Sequence, residues 1–252
     1  MAARLPIATI GLWCLLALAQ VAYAAELKVL CAAPVEEAMR ELAPQFERAS
    51  GHRLIIQYDV APVLKRRIDS GEAFDAAILL PPLVEDLIKR DKMVLGSSVV
   101  VARSGLGVGV REGAALPDIA TPDTFRVALR SASSIAYSKE GASGVAFLRL
   151  IERLGIAEEI RPKLKPTPAE MFPYVVPRRE AEMIVVPISS ILVPGMRLVG
   201  PVPEELQTYF LFTAGISTES KEGEAAKALV AFLTAPAAHA VFKARGLEPG
   251  SR

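Results

Sequence analysis

Histidine and cysteine are scarce in this sequence of 252 residues, which contains two of each. Protein metal sites are built mainly from clusters of His, Cys and spaced carboxylates. Neither His52 nor His239 has such partners nearby in the sequence, so we expect no metal site. Each histidine is more typical of a turn or helix residue than of a catalytic base. Cys31, near the end of a predicted strand, is more typical of an inert buried thiol than of a nucleophile.

The sequence also lacks an excess of charge of either sign. It has 29 Lys and Arg residues against 28 Asp and Glu residues, and its longest basic run is Lys65–Arg67. A surface that binds nucleic acid must neutralise several phosphates, which needs many more clustered cations. The glycine-rich run Gly105–Gly109 lacks the spacing of the phosphate-binding loops GxGxxG and GxxxxGKS/T. We therefore expect neither a nucleic-acid partner nor a nucleotide cofactor, and no other cofactor is indicated.

The first 24 residues have the organisation of a secretory signal peptide. Arg4 precedes an apolar stretch from Leu5 to Ala19, and Ala22–Ala24 fits the small-x-small cleavage rule. An uncleaved anchor is the alternative, but Gln20 interrupts a stretch already shorter than the ~20 residues that span a bilayer. Cleavage would leave Cys31 as the only cysteine, so no intramolecular disulfide is expected. We therefore predict a periplasmic protein that is held together by its core.

From residue 27 onward, short β-rich apolar runs alternate with amphipathic helical stretches. This alternation is typical of βαβ units and a mainly parallel sheet, so the predicted class is α/β. Pro44 is expected to kink or split the first helix. Strands are predicted over residues 27–33, 53–58, 74–80, 98–102, 134–138 and 182–186, and helices over 35–48, 61–68, 82–92, 121–132, 144–154, 221–233 and 236–244.

Two apolar segments interrupt this alternation and indicate that the chain crosses between two lobes. Ser98–Ala102 runs directly into Gly105–Val110, and Tyr209–Gly215 is placed to make the return. Lobe 1 is therefore expected to be discontinuous, because both ends of the mature chain contribute to it. The predicted division is residues 25–101 plus 213–252 for lobe 1, and residues 102–212 for lobe 2.

Four predicted strands end in loops that turn straight into helix starts. In open α/β sheets such loops converge on a crevice at the carboxyl ends of the strands. The N–H groups of a first helical turn have no partner within the helix, so they favour a bound anion. The alternative is that the Pro, Ser and Gly residues here are ordinary caps and first-turn residues. The candidate ligand-binding residues are Ala33, Pro34, Val60, Ala61, Tyr137, Ser138, Ser143, Gly144, Pro187 and Ser189.

The order of these segments resembles the periplasmic solute-binding proteins related to the molybdate-binding protein of ABC importers. The resemblance covers essentially the whole chain after the leader. It implies a type II periplasmic-binding-protein clamshell with two crossing strands as its hinge. It also implies a small anionic ligand, an oxyanion such as molybdate or an organic carboxylate, delivered to an inner-membrane permease with its ATPase. We expect a monomer. The segments that carry the resemblance are residues 27–39, 71–75, 134–144, 182–190, 198–203 and the closing helix pair.

The chain departs from that family at positions where side-chain hydroxyl ligands are expected. The resemblance implies a serine after the first strand, a serine-rich loop after the second and a tyrosine after the strand at 183–186. This chain has Pro34, Val60–Pro62 and Pro187 at those places. A tetrahedral oxyanion would therefore depend on backbone N–H groups, and an organic carboxylate becomes the competing ligand.

A related branch resembles a periplasmic aconitate isomerase, so an enzyme on the same fold is the alternative function. Isomerising an unsaturated tricarboxylate needs a base beside an acidic C–H and cationic groups for the carboxylates. The loops offer Tyr58, Asp59, Lys139 and Glu140, each of which is equally typical of a solvated loop. Solute binding needs only hydrogen-bond donors and closure, so we predict a binding protein without catalytic residues. A sensory or adaptor role for the same fold is a third alternative.

Overall fold

A computed structural model describes residues 24–250 of the chain. The predicted signal peptide, residues 1–24, lies outside the described residues except for Ala24. The described residues form two β-sheets, covered by helices, that share one long strand, β4 (Val99–Arg111). The α/β class and the two-lobed architecture predicted from the sequence are confirmed. The prediction of a mainly parallel sheet is wrong: both sheets are mixed, because the shared strand is antiparallel to its neighbours.

The first sheet combines the beginning of the described chain with its end. Its order is β2-β1-β3-β9-β4, with β10 also paired to β4. β1 is parallel to both neighbours, whereas β9 is antiparallel to β3 and β4. Most residues of β1 are buried, as expected for a strand that is covered on both faces. These strands are β1 (Glu26–Ala32), β2 (Arg53–Asp59), β3 (Ala76–Leu79), β9 (Tyr209–Ile216) and β10 (Glu248–Pro249).

The second sheet is built from the middle of the chain. Its order is β4-β7-β5-β6, and β8 also pairs with β4. Along β4, residues 99–105 pair with β9 and residues 106–110 pair with β7. β4 therefore passes from one sheet into the other, as the predicted first crossing requires. The strands added here are β5 (Ile135–Ser138), β6 (Leu164–Thr167), β7 (Met183–Pro187) and β8 (Met196–Pro201).

The sequence also explains where several helices begin and end. Thr121 caps α4 in a reciprocal capping box with Thr124, and Pro122 occupies the first helical position. Pro44 does not split α1, because the helix buries Ala38, Met39, Leu42 and Phe46 across the proline. The helices are α1 (Glu36–Ser50), α2 (Ala61–Asp69), α3 (Pro81–Lys89), α4 (Pro122–Ser131), α5 (Ala142–Arg153), α6 (Ala157–Ile160), α7 (Phe172–Val175), α8 (Gly223–Leu233) and α9 (Pro236–Ala244).

The two C-terminal helices pack on the first sheet's side of the molecule. Both α8 and α9 contact α1, and α8 also contacts β9. Among residues 24–250, no single helix is long and apolar enough to cross a membrane; only α8 and α9 together reach that length, with a 63° bend between them.

The glycine-rich run in β4 allows close packing rather than phosphate binding. A Cβ added at Gly107 would lie 2.7 Å from the side chain of Ile188, and one at Gly109 would lie 2.7 Å from Ile191. The 3-10 turn Ile188–Ser190 therefore sits directly on the shared strand. The short elements β6, β8, β10, α6 and α7 were not predicted from the sequence.

Candidate functional site

A small cavity lies where the carboxyl ends of strands from both sheets meet. Its free volume is about 30 Å³, which is the space of one or two water molecules. A ligand larger than that enters only if the two sides of the cleft separate. The lining residues are Ala32, Pro34, Val60, Ala61, Pro62, Leu80, Gly141, Ala142, Ser143, Phe172, Pro187, Phe210 and Phe212.

Half of the predicted ligand-binding residues line this cavity, and the other five do not. The lining includes Pro34, Val60, Ala61, Ser143 and Pro187. Ala33 lines a neighbouring cavity, and Ser189 is buried beside Ser104. The ring centroids of Tyr137 and Phe147 lie 5.8 Å apart. Ser138 bonds to the loop before α5, and Gly144 lies in the first turn of that helix.

The start of α5 supplies the polar side of the cavity. Ser143 is 7% exposed and is the one lining residue of the described chain with a polar side chain. The amides of Ala142 and Ser143 belong to the first turn of a 12-residue helix, so they have no intrahelical acceptor. The N–H groups and the helix dipole both favour negative charge at this end. This corner of the cavity is therefore suited to an anion.

Ser138 holds the loop in front of α5 in place. The N–H of Gly141 donates to the Ser138 hydroxyl at 2.9 Å, and the N–H of Lys139 donates to the carbonyl of Thr167 at 2.9 Å. A Cβ on Gly144 would lie 1.8 Å from the Ser138 carbonyl oxygen, so only glycine lets α5 approach β5 this closely. Ser138 and Gly144 thus position the donors of α5.

The other walls of the cavity are poor in donors. Pro34 lies in the 3-10 turn after β1, and Pro62 lies in the first turn of α2. Because proline has no N–H, both turns present fewer donors to the cavity than ordinary helix starts. Phe210 and Phe212, on β9, and Phe172, at the start of α7, complete an apolar wall.

A larger cavity of about 930 Å³ lies next to the first and has a different character. The two share their loops: Asp59 lines the larger one and Val60 the smaller one. Its ionisable residues are Glu36, Glu37, Arg40, Tyr58, Asp59, Glu170 and Tyr174, so carboxylates outnumber cations. The Arg40 guanidinium lies 5.7 Å from the Tyr58 ring centroid and forms an ion pair with Glu36.

Residues suited to proton transfer are absent from the small cavity. Burial raises the pKa of Tyr58 well above its usual value, so this phenol is not a base near neutral pH. Asp59 accepts a hydrogen bond at 2.7 Å from the N–H of Val60. Glu140 forms an ion pair with Arg66 of α2 at 2.7 Å. Neither these residues nor Lys139 line the small cavity.

The remaining reactive side chains are also committed elsewhere. Cys31 is fully buried, and burial raises the pKa of its thiol. His52 accepts a hydrogen bond at 3.2 Å from the N–H of Ala25. Among residues 24–250, no group of three or more His, Cys, Asp or Glu side chains could hold a metal ion.

Sequence reasoning missed the aromatic wall of the cavity and the residue that joins the two crossings. Phe210 and Phe212 lie in the run Tyr209–Gly215, which the sequence pattern predicts only as a crossing between the lobes. Because side chains alternate between the two faces of a strand, Phe210 and Phe212 share the buried face, whereas Tyr209 and Leu211 point the other way. This alternation is the sequence signal for the aromatic wall. Gln207, two residues before the second crossing, gives no sequence signal because its role depends on a partner 101 residues away.

The chain is similar in sequence to two known proteins over most of its length. Over 230 residues the chain is 31% identical to an aconitate isomerase of Pseudomonas sp, covering 88% of this chain and 87% of that protein. It is 28% identical over 237 residues to the molybdate-binding protein ModA of Azotobacter vinelandii, covering 91% and 92%.

Solved structures show the same fold. The periplasmic molybdate-binding protein of Azotobacter vinelandii matches with a TM-score of 0.75 at 19% identity, over 89% of this chain and all of that chain. The sulfate-binding protein SubI of Mycobacterium tuberculosis matches with a TM-score of 0.71 at 15% identity, over 89% and 87%. A family model described as bacterial extracellular solute-binding protein matches residues 27–248, and the chain belongs to that family.

Proposed function

We propose that this protein binds a small anion between its two lobes and delivers it to an ABC importer. The observation that carries the proposal is the buried start of α5, where Ser143 and two first-turn amides face a cavity without charged side chains. Helix-end amides stabilise a bound anion without a guanidinium, and exclusion of water on ligand binding would strengthen their effect.

The relatives support the transport half of the proposal. ModA is a molybdate-binding protein, and a fold neighbour from Clostridium difficile is the substrate-binding domain of a putative molybdenum ABC transporter. By this analogy the protein works as a periplasmic monomer, after removal of its leader, and its partners are an inner-membrane permease and ATPase. No nucleic acid is involved in this function.

The division into lobes is part of the same proposal. The lobes are residues 25–101 plus 213–252 and residues 102–212. The change of pairing partner along β4, from β9 to β7, supports a division near the middle of that strand. The ion pair between Arg66 and Glu140 joins α2 to the loop before α5, so it spans the cleft between the proposed lobes.

Isomerisation is the second candidate, and the 31% identity to an aconitate isomerase favours it. Against it, the small cavity offers neither a base nor a cation for three carboxylates. The nearest ionisable residues, Tyr58 and Asp59, line the larger cavity, where carboxylates dominate. We therefore place binding first and treat isomerase activity as an outcome to be tested.

Two measurements on residues 25–252 separate these functions. A thermal-shift screen against oxyanions and mono-, di- and tricarboxylates should identify a stabilising anion, since a ligand at about 100 times its Kd adds about 2.7 kcal/mol to the folded state. NMR of cis- and trans-aconitate with the protein should show no interconversion above the buffer control. Turnover that is abolished by Tyr58→Phe or Glu140→Gln would establish the isomerase instead.

A further inference from the structure

We propose that the anion bound in the small cavity is a monocarboxylate with an apolar body. This inference rests on the proposed anion-binding function and specifies the chemical class of the ligand. The observation is that most donors lie in one corner of the cavity, at the start of α5, whereas most of the remaining lining is apolar. An inorganic oxyanion and a polycarboxylate both require donors on more than one side.

Most of the donors lie at the start of α5, and the first-turn N–H of Ala61, at the start of α2, adds one more on the opposite side. At α5, Ser143 supplies a hydroxyl, and Ala142 and Ser143 supply first-turn amides. On the opposite loops, Pro34 and Pro62 occupy first-turn positions where other residues would each contribute an N–H. One carboxylate has two oxygens on the same end of a molecule, which matches a single cluster of donors.

The rest of the cavity favours hydrocarbon. Phe172, Phe210 and Phe212 are each at most 8% exposed, and Leu80 and Val60 line the same space. An oxyanion with four equivalent oxygens would hold some of them against these side chains without donors. Burying unpaired polar or charged oxygens is costly, whereas burying a methyl or methylene group is favourable.

The surroundings also disfavour a second or third carboxylate. A longer ligand that extends past Val60 enters the larger cavity, which is lined by Glu36, Glu37, Asp59 and Glu170. Like charges at close range repel, and Arg40, the one cation among the described residues that line this cavity, is already paired with Glu36. The far end of the ligand should therefore be uncharged.

Matched pairs of small acids test this inference by isothermal titration of residues 25–252. Replacing the terminal methyl of butyrate by a carboxylate gives succinate, and the same change converts crotonate to fumarate. We expect butyrate or crotonate to bind at least about 30-fold more tightly than its dicarboxylate, and more tightly than sulfate or molybdate. Equal or tighter binding of a dicarboxylate, sulfate or molybdate would overturn the inference but leave anion binding intact. No binding of any of these anions would overturn both proposals.

A gain-of-function variant tests the role of the prolines. Pro62→Ala restores an N–H in the first turn of α2, so the affinity for sulfate should rise about fivefold or more. Pro122→Ala, the same change at the start of α4, is the matched control and should leave sulfate affinity unchanged. If Pro62→Ala lowers the Tm, Pro34→Ala replaces it. Unchanged sulfate affinity in a folded variant would show that the missing donors do not set the selectivity.

Discussion

The side-chain amide of Gln207 bonds to both backbone groups of Leu106. The N–H of Leu106 donates to Gln207 Oε1 at 2.7 Å, and Gln207 Nε2 donates to the Leu106 carbonyl at 2.9 Å. Gln207 lies two residues before β9, which makes the second crossing, and Leu106 lies in β4 where its pairing changes from one sheet to the other. One glutamine therefore ties the two connections between the sheets together.

We expect Gln207→Leu to destabilise the protein by about 1–3 kcal/mol, because it removes both bonds and leaves the Leu106 groups with poorer partners. The resulting fall in Tm is several degrees for a chain of this length. Gln45→Ala, on α1, is a control for loss of a glutamine outside the crossings. A Tm equal to that of the parent would show that the backbone bonds of Leu106 to Thr208 and Val202 suffice.

Removing the hydroxyl at the cavity should affect binding and not stability. Ser143→Ala deletes one donor to the anion, and a hydrogen bond to a charged group contributes about 1.5–3 kcal/mol. We expect at least a tenfold loss of affinity for the anion found by the thermal-shift screen, with the Tm unchanged. Ser131→Ala, at the exposed end of α4, is the matched control. Parental affinity in Ser143→Ala would mean that the hydroxyl is not a ligand.

The close contact between α5 and β5 should not tolerate a methyl group. In Gly144→Ala the new Cβ would meet the Ser138 carbonyl oxygen, and neither backbone segment can move without loss of packing. We expect a loss of about 3 kcal/mol or no folded protein. Gly223→Ala, also in the first turn of a helix, has no atom within 4 Å of the added Cβ and should be neutral or slightly stabilising. Denaturant titration of both variants provides the comparison.

Acid should destabilise the protein partly through Glu72. The guanidinium of Arg67 hydrogen-bonds this carboxylate, and Lys28 lies 3.1 Å away, so the pKa of Glu72 falls to about 2. A carboxyl with a lowered pKa in the folded state stabilises above its unfolded pKa, and this contribution disappears as the pH falls toward 2. Glu72→Gln should therefore be less stable than the parent near pH 7, with a difference that shrinks between about pH 5 and pH 2. Glu112→Gln, at an exposed carboxylate, is the control and should show no such change in its stability relative to the parent. If the stability difference between Glu72→Gln and the parent stays constant with pH, Glu72 is not the carboxyl with the lowered pKa.

The ion pair across the cleft should contribute little. Arg66 and Glu140 are 61% and 47% exposed, and ion pairs of such exposure are worth about 0–1 kcal/mol. We expect Glu140→Gln to leave the Tm within about 2 °C and to change anion affinity less than threefold. Glu159→Gln, which breaks the comparable surface pair with Arg130, is the control. A large effect confined to Glu140→Gln would indicate a direct role in ligand chemistry.

Local signals predicted most of the fold, because helix starts and strand cores are encoded by neighbouring residues. The helix over 236–244 was predicted with the bounds that the structure shows, since Pro236 and Gly246 delimit it. The site was predicted less completely. Which loops meet follows from strand order, but the sequence pattern does not show which atoms face the cavity. The hydroxyl of Ser138, a predicted ligand-binding residue, accepts a hydrogen bond from the N–H of Gly141, and its contact with a ligand stays a prediction.

The position of β9 between β3 and β4 has a consequence for folding. β3 pairs with β9, whose residues come more than 120 positions later in the chain. During synthesis or export from the N-terminus, one edge of β3 therefore stays open while the middle of the chain emerges. An open apolar edge invites pairing with other chains. Fragments that end before residue 209 should for this reason aggregate, and the nascent chain should depend on holding factors until β9 closes the gap.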